Sequence, residues 1–587
     1  MDYIMSHLLT VLVFAPALGA MGLFFFPERE KGAAKAAGLA ISLAVFAASL
    51  LLLTRFQNIG GYQFEQQEPW IPSLGATYHL GLDGISLFLV LLTTFITPIA
   101  LLGSFTSIEK RVREFVILIL FLETAMLGAL VALDVLLFYF FWEAMLIPMY
   151  FLVGIWGYDL RVKAALKFFI YTLVGSLLML VAIIWIWFQT GAKTFDLVAW
   201  TSMVPNNPAV RQYGLWLFGA FALAFAIKVP MVPFHTWLPL AHVQAPTAGS
   251  VILAGVLLKM GTYGFIRFAM PLFPEAALAF APGIALLGVV GIVYGALLSM
   301  VQKDIKSLVA YSSISHLGFC MMGLACLDEK AVLGSVYQGL NHGVSTGALF
   351  LLVGVIYERR HTREISEFGG IAKVVPLYTI TFIIITLSSI GLPGLNGFVG
   401  EFLILIGTFT SNAFAKTYMG PNAGVWFAVV GSTGVIFAAV YLLWMVKRVF
   451  FGPLRNPANM DLQDLTVRER IVFAPMVALV IIMGIFPQWF LSKMSPAVNQ
   501  TLSAVRRTAG LSPLAAAVTI PGAQPAAGAA RAVAIPTEPD PRTLRAMPLD
   551  QLNRRLQEGA RLPGLPNVPL VRPGQPAPTG QPAQPAH

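Results

Sequence analysis

Apolar residues run along the chain in blocks separated by short polar connections. Each block approaches the 20 or so residues that an α-helix needs to cross a bilayer core. The blocks centre near residues 15, 43, 92, 122, 144, 176, 222, 257, 289, 315, 344, 388 with 403, 437 and 480. This pattern predicts an all-α, polytopic membrane protein with fourteen transmembrane helices. The first block, residues 4–26, has no Lys or Arg before it and no small-residue cleavage site after it, so it reads as a first helix and not as a signal peptide.

Two blocks are interrupted. In "AIKVPMVPFHTW", residues 226–237, Pro230 and Pro233 remove backbone donors and push the residues before them out of the helical region. The helix is therefore predicted to break just after Lys228. In "SSIGLPGLNGFVGE", residues 388–401, Pro393 and a run of glycines interrupt a second block. Unwound backbone at membrane depth is tolerated only where protein buries it or water reaches it. Two broken helices, five helices apart and each with an ionisable residue at the break, point to a transporter built from inverted repeats. On this reading three helices occupy residues 1–110 and helices 4–8 form a first repeat over 111–270. Helices 9–13 form a second repeat over 271–455, and helix 14 occupies 456–495. Breaks in helices 7 and 12 then fall at equivalent positions, and a repeat of five helices must invert in the membrane.

Composition agrees. Of 587 residues 57% are hydrophobic and only 11% are charged, against about 25% charged in a soluble domain. A net charge of +10 is no sign of nucleic acid here, because basic residues in a membrane protein mainly set topology. Assigning the Lys and Arg of short connections to alternate sides puts most of them, from Arg29 to Arg470, on one side. A handful, Arg55, Lys193, Arg211, Arg267 and Lys416, falls on the other. That asymmetry puts both termini outside the cytoplasm, and no nucleic-acid partner is expected. From residue 496 onward Pro, Ala, Gly and Gln dominate, so 496–587 reads as a disordered tail. Within it "PLDQLNRRLQEGARL" suits either a solvated segment or a short amphipathic strap. Cys320 and Cys326 fit no metal or haem spacing and read as inert thiols.

An ionisable side chain at the bilayer centre costs about 2.5–3.5 kcal/mol on insertion scales, so each one needs a reason. Glu143, Lys228, Lys259, His316, His342 and Glu401 lie deep in six different apolar blocks. Burial disfavours the charged form of Lys and of Glu, and a nearby opposite charge reverses both tendencies. A Lys whose neighbouring Glu can approach or withdraw thus has a switchable proton affinity, and histidines suit relay between such sites. Glu123, Asp134, Lys167, His235 and His242 are secondary candidates. Asp134 sits in a tight turn, Lys167 is close enough to a loop to snorkel, and His235 can equally mark the start of the second half-helix. The chain carries no dinucleotide fingerprint, P-loop, C-x-x-C or nucleophile elbow, so no cofactor or metal is expected in it.

The stretch "KVPMVPFHTWLPLAHVQAPTAGSVILAGVLLKMGTYG", residues 228–264, resembles the antiporter-like membrane subunits of respiratory complex I and of multisubunit sodium/proton antiporters. "FFWEAMLIPMYFLVGIWG", "VQKDIKSLVAYSSISHLGF", "LNHGVSTGALFLLVGVIYERRHTREI" and "GLPGLNGFVGEFLIL" extend the likeness over roughly residues 75–450. Glu401 in "GFVGEF", where other members carry Lys, makes the sequence similar to the M type of complex I chain. The resemblance implies an inner-membrane, proton-translocating subunit of NADH:quinone oxidoreductase. It further implies flavin, iron–sulfur clusters and quinone in partner subunits, and homologous antiporter-like chains on both sides within the lipid bilayer. It also implies a proton route to Lys259, exchange with Lys228 under control of Glu143, and passage through His316 and His342 toward Glu401. A sodium/proton antiporter subunit is the alternative. A scaffold whose buried charges only glue helices is disfavoured, because interhelical polar contacts average about 0.6 kcal/mol.

Overall fold

The computed structural model describes residues 7–512. Helices α1 (Leu8–Leu23) and α2 (Lys31–Arg55) precede a β-hairpin of β1 (Gln63–Ile71) and β2 (Ala76–Leu82). Helices α3 (Gly84–Gly103), α4 (Val112–Val131), α5 (Val135–Trp156) and α6 (Arg161–Gln189) follow. Next come α7 (Gly214–Lys228) and α8 (Trp237–Gln244), then α9 (Thr247–Leu272), α10 (Pro274–Met300), α11 (Ile305–Ala325) and α12 (Glu329–Arg360). The second half closes with α13 (Pro376–Ile390), α14 (Asn396–Thr410), α15 (Ala423–Phe450), α16 (Val467–Ile485) and α17 (Pro487–Thr508). Among the described residues 10 helices, or up to 11 with the bent pair α16 and α17 taken as one, are long and apolar enough to cross a membrane. Helices α1, α7, α13 and α14 are shorter. The fourteen expected blocks therefore include pieces that no single straight helix spans: α7 ends before its prolines, and α13 ends at Gly391, which adopts φ +85°.

Connections sort onto two faces. On the first, Arg113 donates to Phe26 O (2.8 Å), Thr106 to Glu358 (2.6 Å), Tyr158 N to Gln244 O (2.9 Å) and Ile305 N to Arg363 O (3.0 Å). These contacts join the segments that hold most of the basic residues, so this is the basic face. On the opposite face Thr10 meets Tyr78 (2.9 Å), Leu133 N donates to His79 O (2.8 Å), and Arg506 donates to Leu327 O (2.6 Å).

Two features depart from the sequence reading. The all-α expectation misses the hairpin, whose strands pair antiparallel with Gln66 opposite Leu80 and Glu68 opposite Tyr78. Its turn needs Gly75, at φ +67°, where a Cβ would lie 1.8 Å from Lys193 O. Apolar scanning cannot see a strand pair that rests on a helix bundle with one polar side. The expected boundary at 495 falls inside α17, which bends 73° from α16 and runs to Thr508. Phe490, Met494, Ala497, Val498, Leu502 and Val505 form one buried face at helical spacing. Asn499 at its middle donates to Glu329 at the start of α12 (2.7 Å). Composition marks this stretch as tail because its other face is polar. The "PLDQLNRRLQEGARL" segment lies outside the described residues.

Candidate functional site

Helix α7 ends at Lys228, the position the prolines predict. The break frees backbone carbonyls, and side chains cover them: Trp237 Nε1 donates to Ile227 O (2.8 Å) and Lys167 Nζ to Thr236 O (2.9 Å). Gly261 on α9 lets the broken segment approach closely, since a Cβ there would lie 2.7 Å from Phe225 O and 2.8 Å from Val229 N. Lys228 itself is 1% exposed. Its Nζ stands 4.9 Å from the Trp142 ring centroid and 5.9 Å from that of Phe168, within cation–π range. It has no hydrogen-bond partner among the described residues. Glu143, the next residue after Trp142, is half-buried and is the acid that acts electrostatically on Lys228. Its Oε1 is likewise unpartnered. No hydrogen bond or ion pair within 4.0 Å joins the two.

Further into the protein the polar groups pair, Lys259 with His342 and His316 with Glu401. Helix α9 carries two π-helical segments, Leu253–Leu257 and Phe265–Ala269, on either side of Lys259. The first leaves Ala254 O free to accept from Lys259 Nζ. The same Nζ lies 2.7 Å from His342 Nδ1 on α12. The rings of His342 and His316 have centroids 5.9 Å apart. His316 Nδ1 on α11 lies 3.0 Å from Glu401 Oε1 on α14. Glu401 also accepts from Gln338 (3.0 Å), and Tyr441 OH stands 3.5 Å from His316 Nε2. All four are buried, so the row Lys259, His342, His316, Glu401 runs through the interior across four helices, with no hydrogen bond between the two histidines and His342 Nε2 unpartnered among the described residues.

The second break is built from amides. Asn341 donates to Asn396 O (2.7 Å) at the start of α14, and Ser388 at the end of α13 donates to the Asn396 side chain. Gly391 brings the break against the acid, because a Cβ there would lie 3.0 Å from Glu401 Oε2. Gly400 admits Gln338, whose Oε1 would be 2.5 Å from a Cβ.

The secondary candidates divide. Asp134 caps α5, accepting from Leu136 N (2.9 Å) and Leu137 N (3.1 Å), and its other oxygen accepts from Thr77 N (2.9 Å). That is an anchor for the hairpin. Lys167 covers the break through Thr236 and does not reach the row of contacts. His235 packs edge-on against Tyr294, centroids 5.5 Å apart. His242 is fully buried and stacks on Phe350 at 4.5 Å, and both its ring nitrogens lack partners among the described residues. Glu123 is fully buried with both oxygens equally unpartnered.

Sequence reasoning missed Gln338, Asn341, Asn396 and Tyr441 because uncharged polar residues are common in membrane helices. It also placed Lys306 and Arg267 in connections, whereas both are buried. Lys306 Nζ donates to Ala245 O (2.6 Å) on the basic-face side and lies 5.1 Å from the Tyr158 ring. No group of three or more His, Cys, Asp or Glu suited to a metal occurs among the described residues. Cys320 and Cys326 are free and buried.

Comparison with known proteins gives the same family along most of the chain. Residues 132–425 match the NADH:quinone oxidoreductase/Mrp antiporter transmembrane family, and residues 39–129 match the amino terminus of NADH-ubiquinone oxidoreductase chain 4. The chain is 43% identical over 509 residues to NADH-quinone oxidoreductase subunit M of Rhodobacter capsulatus, covering 84% of this chain and 96% of that one. It is 41% identical over 493 residues to NADH-ubiquinone oxidoreductase chain 4 of Marchantia polymorpha, covering 84% and 96%. Among solved structures, a chain of respiratory complex I from Thermus thermophilus superposes with a TM-score of 0.76 at 31% identity, over 85% of this chain and 99% of that one. A chain of the Mrp complex from Dietzia shares the fold, with a TM-score of 0.72 at 20% identity over 86% and 100%. The chain therefore belongs to the NADH:quinone oxidoreductase/Mrp antiporter transmembrane family.

Proposed function

We propose that this chain is a proton-translocating membrane subunit of an NADH:quinone oxidoreductase, in which a buried acid, lysine and histidine row carries protons while partner subunits perform the redox chemistry. The observation that carries the reading is the buried row in which Lys259 Nζ meets His342, the His342 and His316 rings lie 5.9 Å apart, and His316 meets Glu401. Neutral imidazole both accepts and donates a proton, so two histidines between a lysine and a carboxylate form a relay. Lys228 and Glu143 form the second element. With no hydrogen bond between them, a small movement of Glu143 changes the charge felt by Lys228 and hence its proton affinity.

The chain crosses the membrane fourteen times when α7 is joined with α8 and α13 with α14. The hydrogen bonds among alternate connections on two faces support this. Helices 4–8 and 9–13 form inverted repeats, supported by the breaks at Lys228 and at Asn396. Most basic connections share one face, so that face is cytoplasmic by the positive-inside tendency, and residues 7 and 512 both lie toward the outer side of the inner membrane. Flavin, iron–sulfur clusters and quinone belong to partner subunits. Homologous antiporter-like chains flank this one, and the half-buried Glu143 on α5, beside exposed Phe140 and Ile147, suits such a neighbour.

The test is Lys228→Ala in the assembled complex. Sealed membrane vesicles should show normal assembly with a lower proton-to-electron ratio. A wild-type ratio in that variant would refute the reading.

A further inference from the structure

The proposed row is flanked by different groups toward the two faces. Toward the basic face from Lys259 stand His242 and Lys306, both buried and both of side-chain types that can exchange a proton. Toward the opposite face a cavity about the size of one water molecule adjoins Lys259, lined among others by Ile85, Thr262, Tyr263 and Ser335. Next along this face of α9 come Tyr263 and then Arg267, at successive turns from Lys259. Tyr263, which lines the cavity beside Lys259, is bonded to Arg267 on the far side.

Arg267 is buried and fully engaged. Nη2 meets Asp83 Oδ1 at 2.5 Å, Nη1 donates to Tyr62 OH (3.1 Å) and Nε to Tyr263 OH (3.2 Å). Its guanidinium lies 5.2 and 5.3 Å from the ring centroids of Tyr62 and Tyr263. Tyr263 OH in turn donates to Leu130 O (2.9 Å), and Asp83 Oδ1 also caps α3 by accepting from Ile85 N and Ser86 N, each at 3.0 Å. A proton relay requires groups that accept a proton and then release one. Guanidinium has no acceptor site and does not deprotonate in proteins. Tyr263, which lines the cavity, already donates to one carbonyl and accepts from Arg267.

We infer that the buried Arg267 cluster, with Asp83, Tyr62 and Tyr263, is a proton plug that closes the outward path from Lys259 and sends protons sideways through His342 and His316 to Glu401. The inference rests on the proposed function. It makes Arg267 a positioning residue for the route, not a carrier of protons. A purely structural tie between α9, α3 and the hairpin would affect stability but would not seal a path.

The test uses the complete complex reconstituted in liposomes, with passive proton leak measured under an imposed pH gradient and without turnover. Arg267→Gln should leak severalfold more than wild type at an equal amount of assembled complex, with quinone reduction retained. Adding Lys259→Met should abolish the extra leak. If Arg267→Gln fails to assemble, Arg267→Lys keeps the charge beside Asp83 but can release its proton, and it should leak to a lesser degree. A tight complex with whichever of the two assembles, or a leak that survives Lys259→Met, overturns the plug. Arg267→Gln that is tight while Lys228→Ala lowers the proton-to-electron ratio defeats the plug alone. A Lys228→Ala complex with an unchanged ratio defeats the proposed function itself.

Discussion

Lys259 Nζ on α9 and His342 Nδ1 on α12 lie 2.7 Å apart in the buried interior, and the same Nζ donates to the carbonyl that a π-helical segment leaves free at Ala254. The lysine is therefore held by two acceptors on different helices and aimed at the histidine row. Replacing His342 by Leu removes one acceptor. Leaving a buried donor short of a partner costs about 1–3 kcal/mol, so the variant should melt at lower temperature and lose proton translocation, with quinone reduction falling in step where the two are coupled. Thermal unfolding of the purified complex and dye-monitored proton uptake by vesicles measure both.

The broken helix at Lys228 depends on Trp237. Its indole N–H covers Ile227 O, one residue before the lysine. Trp237→Phe keeps the ring and removes the donor, so about 1–3 kcal/mol of stability should be lost, together with part of the pumping. Amide exchange of the segment 227–237 should quicken in this variant and stay unchanged in Trp489→Phe on α17.

On the basic face Arg359 donates to both carboxylate oxygens of Glu469, at 3.1 and 2.7 Å, and to Asp464 O at 3.1 Å. This fork joins α12, the helix of His342, to the start of α16. Removing one partner of such a pair strands a largely buried charge, at a cost of about 3–5 kcal/mol. Arg359→Ala should lower the amount of assembled complex, and Arg359→Lys, which cannot make the fork, should recover only part of it. Native gels of membranes carrying each variant read this directly.

The hairpin carries the clearest pH dependence. His79 Nδ1 lies 2.5 Å from Asp196 Oδ2, and Nε2 lies 3.4 Å from Glu65 Oε2. Burial lowers the affinity of this imidazole for a proton, but the two carboxylates outweigh it and hold its pKa above the ordinary 6.5. A pKa raised on folding contributes stability that is complete below the unfolded value and lost as pH rises through the folded one. Attachment of the hairpin should thus weaken as pH rises above 6.5. His79→Gln should flatten that dependence, as read by proteolysis of the hairpin across the same range.

How much of this was legible in the sequence depends on what each residue does. Lys228 and its break could be read, because proline chemistry and a charge in an apolar block are both local signals. The six principal ionisable residues stood out for the same reason, but their grouping did not. His342 and Glu401 are far apart in the chain, and only packing shows that His316 lies between them. Arg267 looked like a loop residue because it lies near a helix end, and its burial depends on Asp83 and Tyr62 arriving from another segment. The hairpin and α17 were misread because half of each is polar, so neither produces an apolar block. Asp134 was visible as a turn residue, and the structure makes it a helix cap.

In the proposed function protons pass along the buried row from Lys259 to Glu401. The decisive measurement is the proton-to-electron ratio of the reconstituted complex carrying Lys259→Met, which keeps the volume of the side chain and removes its proton. A ratio below wild type, at an equal amount of assembled complex, is the expected result. An unchanged ratio would contradict the account.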